Sequence, residues 1–214
     1  REVVGRRLSP LEELTVYALR SYQGRLDELL DILRANAEAQ PHIPAWRAAL
    51  ARAYYDTDQL AEARAQVDAL PVSGFDYPPN FQWTGTVVPL SEVVSDLQDR
   101  SAAAVLYERM RPIANQAEAF ALVIASRGSY GQFCGMLAAC LGRWDDAEGH
   151  FTDALAMNER LGARPAIVCT RRAWASMLLD RNAPGDAAGA RELIAAGRAE
   201  AAQLGMAREL VRFD

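Results

Sequence analysis

Apolar residues recur at intervals of three and four along most of the chain, in LDELLDIL (26–33), AALARAYY (48–55), AAAVLYERM (102–110) and AEGHFTDAL (147–155). That period gathers them on one face of a helix and leaves polar residues on the other. Strand-type alternation is nearly absent. Two stretches break the pattern: PVSGFDYPPNFQW (71–83), where Pro78 and Pro79 cannot sit inside a helix, and FALVIASRGS (120–129), which reads as a short helix or a strand. Both fall in irregular connections, 71–83 and 112–127, with room for an extra short element in 112–130. The predicted fold class is all-α.

The helices repeat. Aligning GRLDELLDILRANAEAQP (24–41), DQLAEARAQVDAL (58–70), DRSAAAVLYERM (99–110), GRWDDAEGHFTDAL (142–155) and GDAAGARELIAAG (185–197) places Leu29, Ala63, Ala103, Ala147 and Ala190 in one column. Their spacings are 34, 40, 44 and 43 residues. One helical turn later a second column holds Leu33, Val67, Tyr107, Phe151 and Ile194, and LGA at 161–163 recurs as LGM at 204–206. Two-helix units of this length stack, because a single pair cannot cover its own apolar face. The expected architecture is one right-handed superhelix of about five antiparallel pairs, roughly 9–40, 43–70, 84–111, 128–161 and 165–205.

Leu50, Ala51, Tyr54, Leu60, Ala63 and Val67, with Pro41 closing the preceding unit, resemble the tetratricopeptide repeat. Cys134, Gly135, Trp144, Ala147, Phe151 and Ala154 follow the same pattern, which departs at Ala138, where an aromatic is usual; the third and fifth units fit loosely. More narrowly, FDYPPNFQWTGTVVPLSEVVSDLQDRSAAAVLYERMRP and GMLAACLGRWDDAEGHFTDALAMNERLGARP resemble the carboxy-terminal helical repeats of large actinobacterial signalling proteins. The resemblance implies a neighbouring signal-transduction ATPase module and either a class III nucleotide cyclase domain or a LuxR-type DNA-binding domain. The chain begins without Met, as expected of a processed protein or a piece of a longer one. No catalytic residue carries over, since those modules would lie outside this chain.

Composition narrows the choices. The 214 residues are half hydrophobic and about a quarter charged, enough for a sizeable core. The net charge of −5 argues against direct nucleic-acid contact, and every positive side chain is Arg, intermixed with Asp and Glu. No apolar run approaches the roughly 18 residues of a membrane span. Cys134, Cys140 and Cys169 read as reduced core thiols of a cytoplasmic protein.

Candidate chemistry is sparse. Asp145, Asp146, Glu148 and His150 crowd together in LGRWDDAEGH, but their helical positions do not converge on one point. They read instead as a Gly142 turn, a packed Trp144 and an acidic helix start in which Asp145 or Asp146 caps. GSYGQFCG (128–135) lacks the Lys and Ser/Thr of a phosphate loop and reads as close helix packing. YYDTDQ (54–59) lacks the Gly and closing Glu of a calcium loop. Neither a metal nor a cofactor is implied.

Binding remains. In such a stack the first helix of each pair lines the concave face, which would display Leu14 and Ala18; Ala48, Arg52, Tyr55 and Asp56; Val88, Glu92 and Asp96; Gln132 and Met136; Arg172 and Ser176. Arg52 and Arg172 are the expected anchors for a carboxylate or phosphate. The expected function is non-catalytic: a protein-interaction or sensory domain, the regulatory arm of a signalling ATPase, cyclase or transcriptional regulator. The alternative is a stand-alone adaptor or small-ligand receptor. Expected partners are a protein or peptide, adjacent domains of a longer chain, or a second copy in a homodimer.

Overall fold

The computed structural model describes residues 10–70, 81–120 and 125–213, with side chains for 15–70, 83–117 and 127–213. It is helical apart from one hairpin. In chain order the helices are α1 (Pro10–Gln23), α2 (Leu30–Ala39), α3 (Pro44–Asp56), α4 (Leu60–Asp68), α5 (Phe81–Asp96), α6 (Arg100–Met110), α7 (Tyr130–Cys140), α8 (Trp144–Leu161), α9 (Arg164–Arg181), α10 (Asp186–Leu204) and α11 (Ala207–Arg212). A 3-10 turn, Leu26–Leu29, leads into α2. Among the described residues no helix is long and apolar enough to cross a membrane.

Local chemistry sets the helix ends. Pro44 and Pro165 stand in the first turns of α3 and α9, where a missing N–H costs nothing and the fixed φ suits a helix. Left-handed residues close the turns: Gly24, Asp58, Gln98, Gly142 and Gly185 all have positive φ, at intervals that match those of the buried alanine column. At the first four, the N–H of the next residue donates back to a helical carbonyl: Arg25 to Arg20, Gln59 to Tyr54, Asp99 to Val94 and Arg143 to Ala138, at 2.9–3.0 Å. One turn geometry therefore recurs, satisfying carbonyls that each helix end would leave unpaired.

Packing follows the two apolar columns. Ala63, Ala103, Ala147 and Ala190 are buried, as are Leu33, Val67, Tyr107 and Phe151, while Leu29 and Ile194 are half-buried. Neighbours α3/α4, α7/α8 and α9/α10 pack together, and α3 packs on α5, α5 on α7 and α7 on α9. Small residues permit close approach. A Cβ on Gly135 of α7 would stand 2.7 Å from the Phe151 ring on α8, which accounts for Gly135 of GSYGQFCG as packing, while Gly128 meets Ala166 closely and also has a positive φ of 85°. Helix α5 is buried on every side over Trp83–Ser95, with Thr84, Thr86, Ser91, Glu92 and Ser95 among its buried residues.

Two features differ from the sequence expectation. The connection 112–127 is not irregular throughout: β1 (Ala117–Phe120) pairs antiparallel with β2 (Ala125–Ser129), Ala117 opposite Ser129 and Phe120 opposite Ala125. Pairing gives partners to the backbone groups of both strands. The chain also continues past α10 into α11, entered through Gly205 as α9 is entered through Gly162; the two left-handed glycines have φ of 67° and 62°. Of the 71–83 connection, residues 71–80 lie outside the described residues, and Phe81 onward belongs to α5.

Candidate functional site

The layer formed by α3, α5, α7 and α9 carries the positions expected to line a groove. Most are covered by the protein itself. On α3, Arg52 and Asp56 stand one turn apart and pair at 3.1 Å, and Arg52 Nη1 lies 3.0 Å from Glu92 on α5. Arg127 of β2 enters the same space, where its Nη2 donates to Glu92 at 2.7 Å and its Nη1 to the Ser21 hydroxyl of α1 at 3.2 Å. Arg52 and Glu92 are each 3% exposed. Burial works against the Arg52 charge, but Asp56 and Glu92 outweigh it and hold the guanidinium pKa well above its ordinary value. Arg52 and Arg127 thus face two buried carboxylates, with Arg208 Nε a further 3.7 Å from Asp56, and the arrangement depends on every member. Tyr17 of α1 faces this cluster, and its pKa is raised chiefly by burial.

Helix α11 covers the next stretch. Arg172 Nε of α9 donates to Glu209 at 2.8 Å, Arg212 pairs with Asp96 of α5 and lies 5.6 Å above the Tyr55 ring, and Arg208 donates to the Tyr55 carbonyl at 3.3 Å. Burial raises the Glu209 pKa, but Arg172 and Arg212 more than offset it and leave the carboxyl below its ordinary value. Phe213 seats on Gly197 of α10 and Arg208 on Gly24, so α11 ties the two ends of the chain together.

The candidate residues accordingly divide. Arg52, Asp56, Glu92 and Arg172, expected to face a ligand, are buried and paired within the chain, because α1, β2 and α11 bring countercharges the groove picture omitted. Their carboxylate partners are the protein's own. Tyr55 is half-buried beneath Arg212. Gln132 is also buried: its side chain donates to the Arg127 carbonyl and accepts from Thr170 at 2.9 Å, and Asn158 donates to Thr170 at 3.1 Å while accepting from Ser129 N at 2.8 Å. This neutral chain fastens β2 to α7, α8 and α9. Ala18, Ala48 and Val88 are buried, and Leu14 lies outside the side chains described.

Met136 and Ser176 have a different setting. With Ser95, Asp96, Gln98, Arg172 and Asp180 they line a polar cleft between α5, α7 and α9. Ser176 and Asp180 are exposed. Sequence reasoning missed Arg127, Ser95, Asp180 and the α11 residues Arg208, Glu209 and Arg212. Two signals were present: Arg127 is a lone charge closing an apolar run, and LGM precedes α11 as LGA precedes α9.

In LGRWDDAEGH the side chains separate. Glu148 pairs with Arg181 at 2.7 Å, and His150 lies 3.1 Å from the Tyr107 hydroxyl with its pKa lowered chiefly by burial. Asp145 and Asp146 are exposed in the first turn of α8, but the helix has no side-chain cap, so neither fills the expected role. Gly142 is left-handed as expected, and Trp144 is half-buried against the core. No group of three potential metal ligands occurs among the described residues. Cys134 and Cys140 are buried, Cys169 is half-buried, and burial pushes the Cys134 thiol up to about 12. Comparison with known protein families, curated proteins and solved structures finds no match.

Proposed function

We propose that the chain is a non-catalytic protein-interaction or sensory domain, a tetratricopeptide-like solenoid of about five helix pairs. In this reading it is the regulatory arm of a larger signalling ATPase, cyclase or transcriptional regulator. The observation that carries the reading is the recurring unit: one left-handed turn at Gly24, Asp58, Gln98 and Gly142, with α3, α5, α7 and α9 packed in sequence as one layer. Such a layer presents a continuous face on which successive units add contact area. The charged clusters and α11 cover part of that face, and the stretch carrying Met136, Ser176 and Asp180 is where a partner would meet it.

The test is made on the natural gene product containing this segment. The reading expects an ATPase-type module in the same product, with nucleotide hydrolysis that changes several-fold on Ser176→Trp while the helical circular dichroism is preserved. A gene encoding this segment alone, or hydrolysis indifferent to Ser176→Trp, overturns the regulatory-arm reading. A second reading, a small-ligand receptor, is favoured by the polar cleft itself, whose lining is partly buried and chemically varied.

A further inference from the structure

We propose that α11 is a built-in ligand: a releasable clasp that occupies a peptide-binding seat on the first-helix layer until a partner helix presenting the same charges displaces it. The proposal rests on reading that layer as the binding face and adds the chemistry of what its covered part accepts. Tyr55 and Asp56 of α3, Asp96 of α5 and Arg172 of α9 are positions that the repeat register assigns to a ligand, and they come from three separate helices. Each meets α11. Arg212 pairs with Asp96 and lies 5.6 Å above the Tyr55 ring, Arg208 Nε stands 3.7 Å from Asp56, and Glu209 receives Arg172 Nε at 2.8 Å. Arg212 lies four positions from Arg208 and three from Glu209, so the three charges share one face of α11, while Val211 is exposed on another.

Three further observations make α11 a clasp. Its six residues fall short of the roughly 12–15 that hold a helix together alone, so its order comes from the seat. Gly205, left-handed at the joint with α10, has open space where a Cβ would stand, so no side chain obstructs a change of angle there. Third, the attachments differ in kind. Met206, Leu210 and Phe213 join Val168 of α9 and Ala201 of α10 in a small apolar cluster, whereas charged and cation–π contacts hold α11 on α3 and α5. Arg208, Arg212 and Asp96 keep more contact with solvent than Arg52 and Glu92 do, so salt and competing charges reach them.

The seat also specifies its partner. With α11 lifted it presents Asp56 and Asp96 beside Arg172, and this order of charge selects a helical segment with two arginines four positions apart and a glutamate next to the first. A segment without those arginines leaves Asp96 without a guanidinium. Tethering favours α11 itself, because a short linker gives an effective concentration on the order of millimolar, so a free segment competes poorly until the clasp is weakened.

The experiment titrates the whole chain into a fluorescein-labelled synthetic peptide of residues 205–213 and follows anisotropy. In the chain, Arg208→Glu with Arg212→Glu sets like charges against Asp56 and Asp96, which lifts α11 and leaves the seat intact. This variant is expected to bind the peptide about tenfold or more tightly than the parent does. A peptide carrying the same two substitutions is expected to bind neither chain. Equal binding by parent and variant, or no binding by the variant, overturns the clasp. A second measurement needs no variant: amide hydrogen exchange of the parent. Leu210, Val211 and Phe213 are expected to exchange about tenfold or more faster than the middle of α10, faster still as NaCl rises from about 0.05 to 1 M, and faster with excess free peptide. Protection of α11 equal to that of α10, or indifferent to salt and peptide, also overturns the proposal. Dimerisation of the parent with rising concentration gives the seat to a second copy's α11 and removes the partner. Nucleotide hydrolysis that responds to Ser176→Trp while α11 stays fully protected leaves the interaction reading standing and removes only the clasp.

Discussion

Replacing Glu92 by Gln tests whether the buried charge cluster holds the first helices together. The side chain is 3% exposed, accepts from Arg127 at 2.7 Å and lies 3.0 Å from Arg52. The amide is nearly isosteric, so little packing is lost, but Asp56, which already lies 3.7 Å from Arg208 Nε, remains as the one carboxylate beside the two buried guanidinium groups of Arg52 and Arg127. Breaking a buried pair from one side costs about 3–5 kcal/mol, and the low end, about 3, applies because the amide oxygen still accepts one bond. For a chain of this size each kcal/mol moves the melting midpoint by about 2–4 °C, which gives a loss of about 6–12 °C. Glu28→Gln, at an exposed carboxylate paired with Arg20 and Arg25, is the control and is expected to change the midpoint far less. A double replacement, Glu92→Met with Arg127→Met, leaves Arg52 matched by Asp56 and should be more stable than Glu92→Met alone. Thermal melts followed by circular dichroism read these four variants and Arg127→Met alone, which completes the double-mutant cycle. Equal midpoints for Glu92→Gln and Glu28→Gln, or additive Met substitutions, would refute the cluster's role.

Three further outcomes follow from particular contacts. Ala63 is 0% exposed whereas Ala65 faces solvent, so Ala63→Leu should lose about 1–3 kcal/mol in thermal melts and Ala65→Leu little; equal midpoints would show the register to be wrong. Asp99 caps α6 by accepting from Ala102 N at 3.1 Å, so Asp99→Ala should cost about 0.5–2 kcal/mol in urea unfolding, while Asp145→Ala, which removes no cap, should cost less. The Glu209 carboxyl is held below its ordinary value in the fold, so its stabilisation is complete above the unfolded value of about 4.3 and is lost as pH falls through the folded value. Urea midpoints measured downward from pH 6 should therefore fall more steeply for the parent than for Glu209→Gln, and parallel curves would count against the Arg172–Glu209–Arg212 cluster.

The helices, their turns and their buried columns were legible in the sequence because they arise from neighbours along the chain. A period near 3.6 gathers Ala63 and Val67 on one face wherever the helix lies, and Gly24, Gly142 and Gly185 mark turns through a conformation other residues enter at a cost. Asp58 and Gln98 take the same left-handed geometry without announcing it, and there the apolar register carried the reading. What covers the first-helix layer was decided elsewhere. Arg127 meets Glu92 across 35 residues, and Arg212 meets Asp96 across 116. No local pattern encodes which carboxylate a distant guanidinium will find, because that pairing exists only once several elements have packed. Sequence periodicity thus placed Arg52, Glu92 and Arg172 on one layer, while α1, β2 and α11 decided that they pair inside the protein and that Ser176 and Asp180 stay open. The physical reason is the cost of a buried charge: an unpaired guanidinium cannot remain in a dry interior, so the tertiary structure must bring it a carboxylate, from whatever distance in sequence.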